Sequence, residues 1–306
     1  MLLWFFNSKQ MDYYLDTEFL EGKQQKRFFG VPMLGMRFDE DEQLKLYKIE
    51  TKNTIDLISI GIVAEDEREY YAISKDFNLK EAWNRYQLET DNTVGARIGC
   101  LPTQKKVYWI RENVLKPIFE ELVLKEFKEV DKYLERKFLF NMPETYAPVC
   151  GNYFTYKDLK KLIAKYGKTN EEIAEEVKDF CKVPNEQNNI EFYAYYADYD
   201  WVVFCWIFGK MIDLPQGFPM YCKDLKQILD EKANALKMYE GRDCWSNDPK
   251  RFMKGDLQKD DRLATLDEKL KGLKKNHPNY PKQTNEHNAL ADAKWNKELH
   301  SFLNKL

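Results

Sequence analysis

Two carboxylates set two residues apart are the first chemistry this chain offers. In "MDYYLDTEFLEG", residues Met11 to Gly22, the acids are Asp16 and Glu18. Side chains at i and i+2 of a β-strand share a face. A strand here would therefore hold both acids side by side, with Leu15, Thr17 and Phe19 on the other face. Close like charges repel, and acidic residues are depleted in strands. The spacing alone suits either the wet face of an edge strand or half of a metal site. A third acid, Asp200, closes "YYADYD" just before the apolar run Trp201 to Phe208. A charge at such a boundary is costly unless it is paired or binds a cation. Asp198, nearer to solvent, is its competitor for that role. A fourth acid stands in "EHNALADAKW", where His287 and Asp292 form an H-x-x-x-x-D pattern as the last helical stretch begins. The expectation puts His287 before that helix and Asp292 in its second turn.

Taken together these residues make a coherent set. Carboxylates about 5 Å apart repel by roughly 3 kcal/mol per pair at an effective dielectric of 20. Several such pairs need cations, and oxygen-only ligands favour Mg²⁺ or Mn²⁺ over Zn²⁺. Two such ions clamp a phosphodiester during in-line displacement. A neutral histidine beside them accepts the proton of the attacking water. D-x-E, then D, then H-x-x-x-x-D is thus a kit for phosphodiester hydrolysis, and the ordered set is more specific than any of its parts.

Elements must position these residues. "DYYLDTEFL" (12–20) reads as a strand. The Gly- and Pro-bearing, charged stretch 21–53 reads as a long excursion or β-ribbon. "TIDLISIGIVAE" (54–65) is apolar on both faces and predicts a central buried strand, with "YYAIS" (70–74) as its hairpin partner. Apolar spacing predicts helices over 111–138, 155–167 and from Thr169 to Cys181, the last opened by a Thr169/Glu172 capping box. A fourth strand is expected at 190–196, and then a helix over 198–211, apolar nearly all round and hence buried. "FPMYC" (218–222) reads as a fifth strand, the stretch from Lys223 to Met238 as a helix, 240–286 as a long loop, and the final 19 residues as a helix. Strands, helices, then strand–helix–strand–helix predict an α/β fold with a mixed five-stranded sheet covered on both faces.

The chain has 306 residues, 48 basic and 51 acidic, for a net charge of −3. That balance does not fit a protein gripping long duplex DNA by charge alone. Six scattered cysteines with no C-x-x-C pair point to a reducing, cytoplasmic compartment. No apolar run is long enough for a membrane span. "MLLWFF" at the start is too short for a signal-peptide core, and Met11 stands as an alternative start.

These blocks resemble the DEDDh 3′–5′ exonucleases of ribonuclease H-like fold, and most closely the polyadenylate-specific exoribonuclease AS group. The resemblance runs through "YYLDTEFLEG", "TIDLISIGIVAEDEREYYAIS", "IRENVL", "YAYYADYDWVVFC", "GKMIDLPQGFPMYCKDLKQ" and "EHNALADA". It implies a single exonuclease domain over 1–306, with insertions at 21–53, 119–168 and 240–283 that flank the expected cleft. Asp16, Glu18, Asp200 and Asp292 would bind two Mg²⁺ or Mn²⁺ ions, and His287 would act as general base. The substrate would be a single-stranded RNA 3′ end, adenylate-rich by the group resemblance and released as 5′-monophosphates. A homodimer is the assembly it implies. Where many relatives outside the group have Asn five residues before the second-motif aspartate, Tyr195 stands here. Phe19 is a candidate for stacking on the terminal nucleotide or for core packing. Arg111 is a candidate phosphate or partner contact. Lys269, Lys271, Lys274 and Lys275 could track a phosphate backbone or face water. His277 and His300 receive no role. A DNA exonuclease built on the same kit, and a non-catalytic binding module, remain the rival readings.

Overall fold

The computed structural model describes residues 11–29, 31–38, 43–91, 103–137, 154–181, 190–236 and 264–306. It is an α/β structure around one mixed five-stranded sheet. The sheet strands are β1 (Met11–Gly22), β2 (Thr54–Ala64), β3 (Glu69–Ile73), β4 (Ile190–Ala194) and β5 (Lys223–Asp224), in the spatial order β5-β4-β1-β2-β3. β1 runs parallel to β4 from Met11↔Ile190 to Tyr14↔Tyr193, and β4 runs parallel to β5. On its other side β1 runs against β2: the Glu65 N–H donates to the Asp12 carbonyl near one end, and the Thr54 hydroxyl to the Gly22 carbonyl near the other. The central strand is therefore β1, the carrier of Asp16 and Glu18. β2 is buried as expected but lies one place off centre.

Chain contacts divide the molecule into two units, residues 11–17, 60–71 and 174–306, and residues 18–59 and 72–173. The division cuts through β1, β2 and β3. The first unit has a core on each side of its strands. On one side Phe192 packs against Trp201, Phe204 and Phe218, with ring centroids 5.0–5.4 Å apart. On the other, Tyr14, Val63 and Tyr193 meet the helices α6 (Leu225–Ala235), α7 (Leu266–Asn276) and α8 (Ala289–Leu303). The second unit contains α1 (Leu79–Asn84), α2 (Lys116–Lys137) and α3 (Tyr156–Tyr166), together with small two-stranded ribbons. Between these in sequence come α4 (Asn170–Phe180) and α5 (Ala197–Ile207).

Local chemistry explains most boundaries. α3 starts at Thr155, whose hydroxyl accepts from the Asp158 N–H, and α4 starts with the expected reciprocal bonds between Thr169 and Glu172. The helix expected over 111–138 opens with a wider π-helical turn, Arg111–Leu115, before α2. Three expectations need correction. "FPMYC" is not a strand: Phe218 turns into the aromatic core instead, and the pairing with β4 falls at Lys223 and Asp224. α5 is not buried all round, for Tyr199, Val202 and Trp206 line an exposed side. The segment 240–286 is not wholly a loop. Thr265 and Glu268 form a capping box that starts α7, while 237–263 lie outside the described residues. No helix among the described residues is long and apolar enough to cross a membrane.

Candidate active site

β1 outruns its neighbour, and that mismatch builds the site. Its pairing with β4 ends at Tyr14↔Tyr193, so the Thr17 N–H beyond it needs another acceptor. Asp200, in the first turn of α5, supplies one. Its Oδ1 accepts from the Thr17 N–H at 3.0 Å and from the Thr17 hydroxyl at 2.6 Å. Asp200 is buried, whereas Asp198 is exposed. Burial pushes the Asp200 carboxyl well above the ordinary carboxylate range. The two bonds from Thr17 pull it back, and the charges of Asp224 and Asp292 push it further up.

The other half of the site comes from α8. Its N-cap is Asn288, whose side chain accepts from the Ala291 N–H at 3.0 Å. Asp292 follows in the first turn, one turn earlier than the sequence suggested. The Gln283 side-chain amide donates to its Oδ1 at 2.6 Å, and the His287 N–H donates to its Oδ2 at 2.9 Å. Burial raises the Asp292 carboxyl above its usual range; these two bonds lower it, and Glu286 raises it. His287 is half-buried and its backbone is left-handed, with φ of 67°. That conformation is uncommon for a residue with a Cβ and tends to persist where surroundings impose it.

Three close contacts hold α8 against the strands. Gly61 of β2 lies directly under the helix start. A Cβ built there would stand 2.3 Å from the Ala289 carbonyl carbon and oxygen, so no other residue fits without moving the helix. One turn beyond Asp292, Asn296 is 1% exposed, and its side-chain amide donates to the Leu15 carbonyl at 2.9 Å. Leu15 immediately precedes Asp16. At the far end of β2, the Lys297 ammonium donates to the Ala64 and Glu65 carbonyls, both at 3.0 Å.

The result is a cluster. Asp16, Glu18 and Asp292 each present a ligand oxygen, and these atoms lie within 4.8 Å of one another. Three carboxylates at this distance offer hard oxygen donors and no nitrogen or sulfur, a set suited to Mg²⁺ or Mn²⁺. Asp200 is not one of the three: it is tied to Thr17, the residue between Asp16 and Glu18, and its charge acts against that of Asp292. Sequence reasoning missed Thr17, Gln283 and Asn296. Asn296 alone left a legible signal, since a polar residue four positions after Asp292 shares its buried helical face.

The residues suggested for substrate contact fare differently. Phe19 is half-buried on β1. The Arg111 guanidinium donates to the Trp83 carbonyl from Nε and Nη2, at 2.8 and 2.5 Å, and sits 3.9 Å from the Tyr108 ring centre. It pins the helix start it belongs to. Lys269 is buried on α7 and donates to the Asn234 carbonyl at 2.9 Å, which corrects its reading as a backbone-tracking cation. Lys271, Lys274 and Lys275 are exposed on the same helix. Tyr195 packs edge-on against Trp295.

Comparison with known proteins bears on this geometry. Residues 157–303 match the family model described as the Rv2179c-like 3'-5' exoribonuclease domain. Two curated relatives are the 3'-5' exoribonuclease Rv2179c of Mycobacterium tuberculosis strain ATCC 25618 / H37Rv and the 3'-5' exoribonuclease MT2234.1 of strain CDC 1551 / Oshkosh. Each is 23% identical to this chain over 185 residues, covering 60% of this chain and 71% of its own. The segment matched by the family model holds Asp200, His287 and Asp292 and begins after β1. What this chain is similar to, by both comparisons, is a hydrolase that shortens RNA from its 3′ end.

Proposed function

We propose that the chain is a metal-dependent 3′–5′ exoribonuclease of ribonuclease H-like fold and DEDDh type, one catalytic domain over its whole length. It is an enzyme, an exonuclease hydrolysing phosphodiester bonds. The observation that carries this reading is the meeting of Asp16, Glu18 and Asp292 within 4.8 Å, on two elements far apart in sequence. A divalent cation relieves the repulsion of three carboxylates at that distance, and the similarity to exoribonucleases names the reaction such a site would serve.

Asp16, Glu18 and Asp292, with Asp200 beside them, would hold two divalent ions, Mg²⁺ or Mn²⁺. When bound, these lower the pKa of a water and neutralise charge on the leaving 3′-oxygen. The protein's own residues do the rest. Thr17 holds Asp200 by two bonds, so that acid is fixed before substrate arrives. Gln283 and the His287 N–H hold both oxygens of Asp292. The His287 imidazole takes the proton of the attacking water, and the bond from its own backbone to Asp292 keeps that base next to the cluster. Phe19, Lys274 and Lys275 are candidates for contact with the terminal nucleotide and the strand behind it. The substrate is a single-stranded RNA 3′ end, adenylate-rich ends included, and the product a 5′-monophosphate.

The test is a gel of 5′-labelled single strands, poly(A) RNA beside mixed RNA and DNA, with Mg²⁺, Mn²⁺ or EDTA. A ladder that shrinks from the 3′ end, needs metal and runs fastest on RNA is the expected result. A faster DNA lane replaces the substrate class. No ladder from folded protein that still binds RNA leaves the binding module.

A further inference from the structure

Helix α5 carries Asp200 in its first turn, and the start of that helix is unusual. Its N-cap is Tyr196, held left-handed at φ of 59°, and the Tyr196 side chain makes no capping bond. An aromatic residue with that backbone is strained, and such strain persists only where the surroundings impose it. What imposes it comes from the next strand. Asp224 lies level with Ala194, the last residue of β4, in the register of β4 with β5. Its Oδ1 accepts from the Tyr196 N–H at 3.1 Å and from the Lys226 N–H at 2.8 Å. The second bond caps α6, whose N-cap is Asp224 itself. One carboxylate oxygen thus ties the starts of two helices together.

We propose that Asp224 is a positioning residue of the exonuclease site, acting through the Tyr196 turn on Asp200. This role rests on the functional reading above and adds to it a residue outside the acid cluster, for Asp224 is not among the three acids that meet. Asp200 must present Oδ1 to both Thr17 donors, at 3.0 and 2.6 Å. It follows Tyr196 by four residues, about 6 Å along a helix, so any rotation of the α5 start displaces it. Ring packing holds the side chains of the turn. The Tyr195 ring centre lies 4.8 Å from that of Tyr196 and 5.1 Å from that of Trp295 on α8. Those rings leave the Tyr196 N–H to Asp224, whose bond fixes the backbone. The charge of Asp224 repels that of Asp200. What the site needs from Asp224 is therefore an acceptor oxygen, which an asparagine supplies equally well.

Variants of the full chain separate the acceptor from the charge and from stability alone. Asp224→Ala should lower kcat on RNA roughly 10- to 100-fold with KM little changed, and should weaken Mn²⁺ binding to the protein without RNA. Asp224→Asn should recover most of both losses. Thr155→Ala removes the cap of α3 and should lower the melting temperature with neither loss. Asp224→Ser keeps a cap on α6 but sets its oxygen one bond nearer its own backbone, away from Tyr196. It should lose activity as Asp224→Ala does, and it decides the matter if the alanine variant fails to fold. Amide hydrogen exchange needs no activity: it should quicken at Thr17 and over residues 196–201 in Asp224→Ser, and stay as in wild type in Asp224→Asn. Full activity in folded Asp224→Ala or Asp224→Ser overturns the proposal. So does Asp224→Asn no better than Asp224→Ala, which would make the charge the requirement. A wild type without metal-dependent hydrolysis overturns the functional reading and this role with it, whereas an active wild type with an equally active Asp224→Ala overturns this role alone.

Discussion

Asp200 shows how one residue serves two ends. It satisfies the Thr17 N–H where β1 has lost its strand partner, and it sets a buried carboxylate against the charge of Asp292. Asp200→Asn keeps an oxygen for Thr17 and removes the charge. The expected outcome is loss of exonuclease rate on the order of 10²-fold or more, with a melting temperature equal to or above wild type, because a buried carboxylate pressed by two others is relieved. Calorimetry and the RNA gel check both halves; retained activity in Mn²⁺ would return the role to Asp198. His300 received no role from the sequence, yet it is built into the core. Its Nδ1 lies 2.8 Å from the Tyr14 hydroxyl, and its ring stacks on Tyr193 with centroids 4.2 Å apart. Burial lowers its pKa below the ordinary 6.5, Lys223 lowers it further, and Asp12 and Glu191 oppose. Protonation therefore costs the folded state more than the unfolded one. The stability this group contributes is full above pH 6.5 and is lost as pH falls below that value. Denaturant unfolding at pH 7.5 and 5.5 should show a smaller loss for His300→Gln than for wild type.

At the scale of elements, the site depends on how α8 meets the strands. Asn296 ties it to the Leu15 carbonyl, Lys297 ties it to the β2–β3 turn, and Gly61 lets its first turn lie on β2. The obstacle a Cβ would meet at Gly61 is backbone rather than a flexible side-chain tip, so Gly61→Ala must displace the helix start and Asp292 with it. The expected cost is about 1–3 kcal/mol of stability, together with weaker Mn²⁺ binding in a titration of the protein alone. Unchanged Mn²⁺ affinity with lowered stability would show that Asp292 tolerates the shift. Element types were legible from pattern because amphipathic period and capping are local: Thr155, the Thr169/Glu172 box and the apolar β2 all stand where the sequence put them. The "FPMYC" strand failed for a non-local reason. Phe218 gains more from Phe192, Phe204 and Phe208 than from a strand edge.

For the whole molecule, the acid cluster is a folding liability that a cation, bound as proposed, would convert into a link between β1 and α8. Saturating Mn²⁺, at about 100 times its dissociation constant, should stabilise the chain by about 2.7 kcal/mol. Thermal unfolding should rise by roughly 5 °C and return on adding EDTA; an unmoved midpoint would mean that the cluster binds no cation. From the sequence alone one could read the residue types and order of the acid set, the placement of His287 before the last helix, and the alternation of strands and helices, because charge, period and capping depend on near neighbours. Which acids meet was decided by the tertiary structure. Asp16, Glu18 and Asp292 converge because β1 is central and Gly61 admits α8, and Asp200 is drawn in because β1 extends past β4. Thr17 and Asn296 join for the same reason, as donors whose acceptors lie 183 and 281 positions away in the chain. No local pattern encodes a hydrogen bond of that span; only the packed fold brings its two ends together.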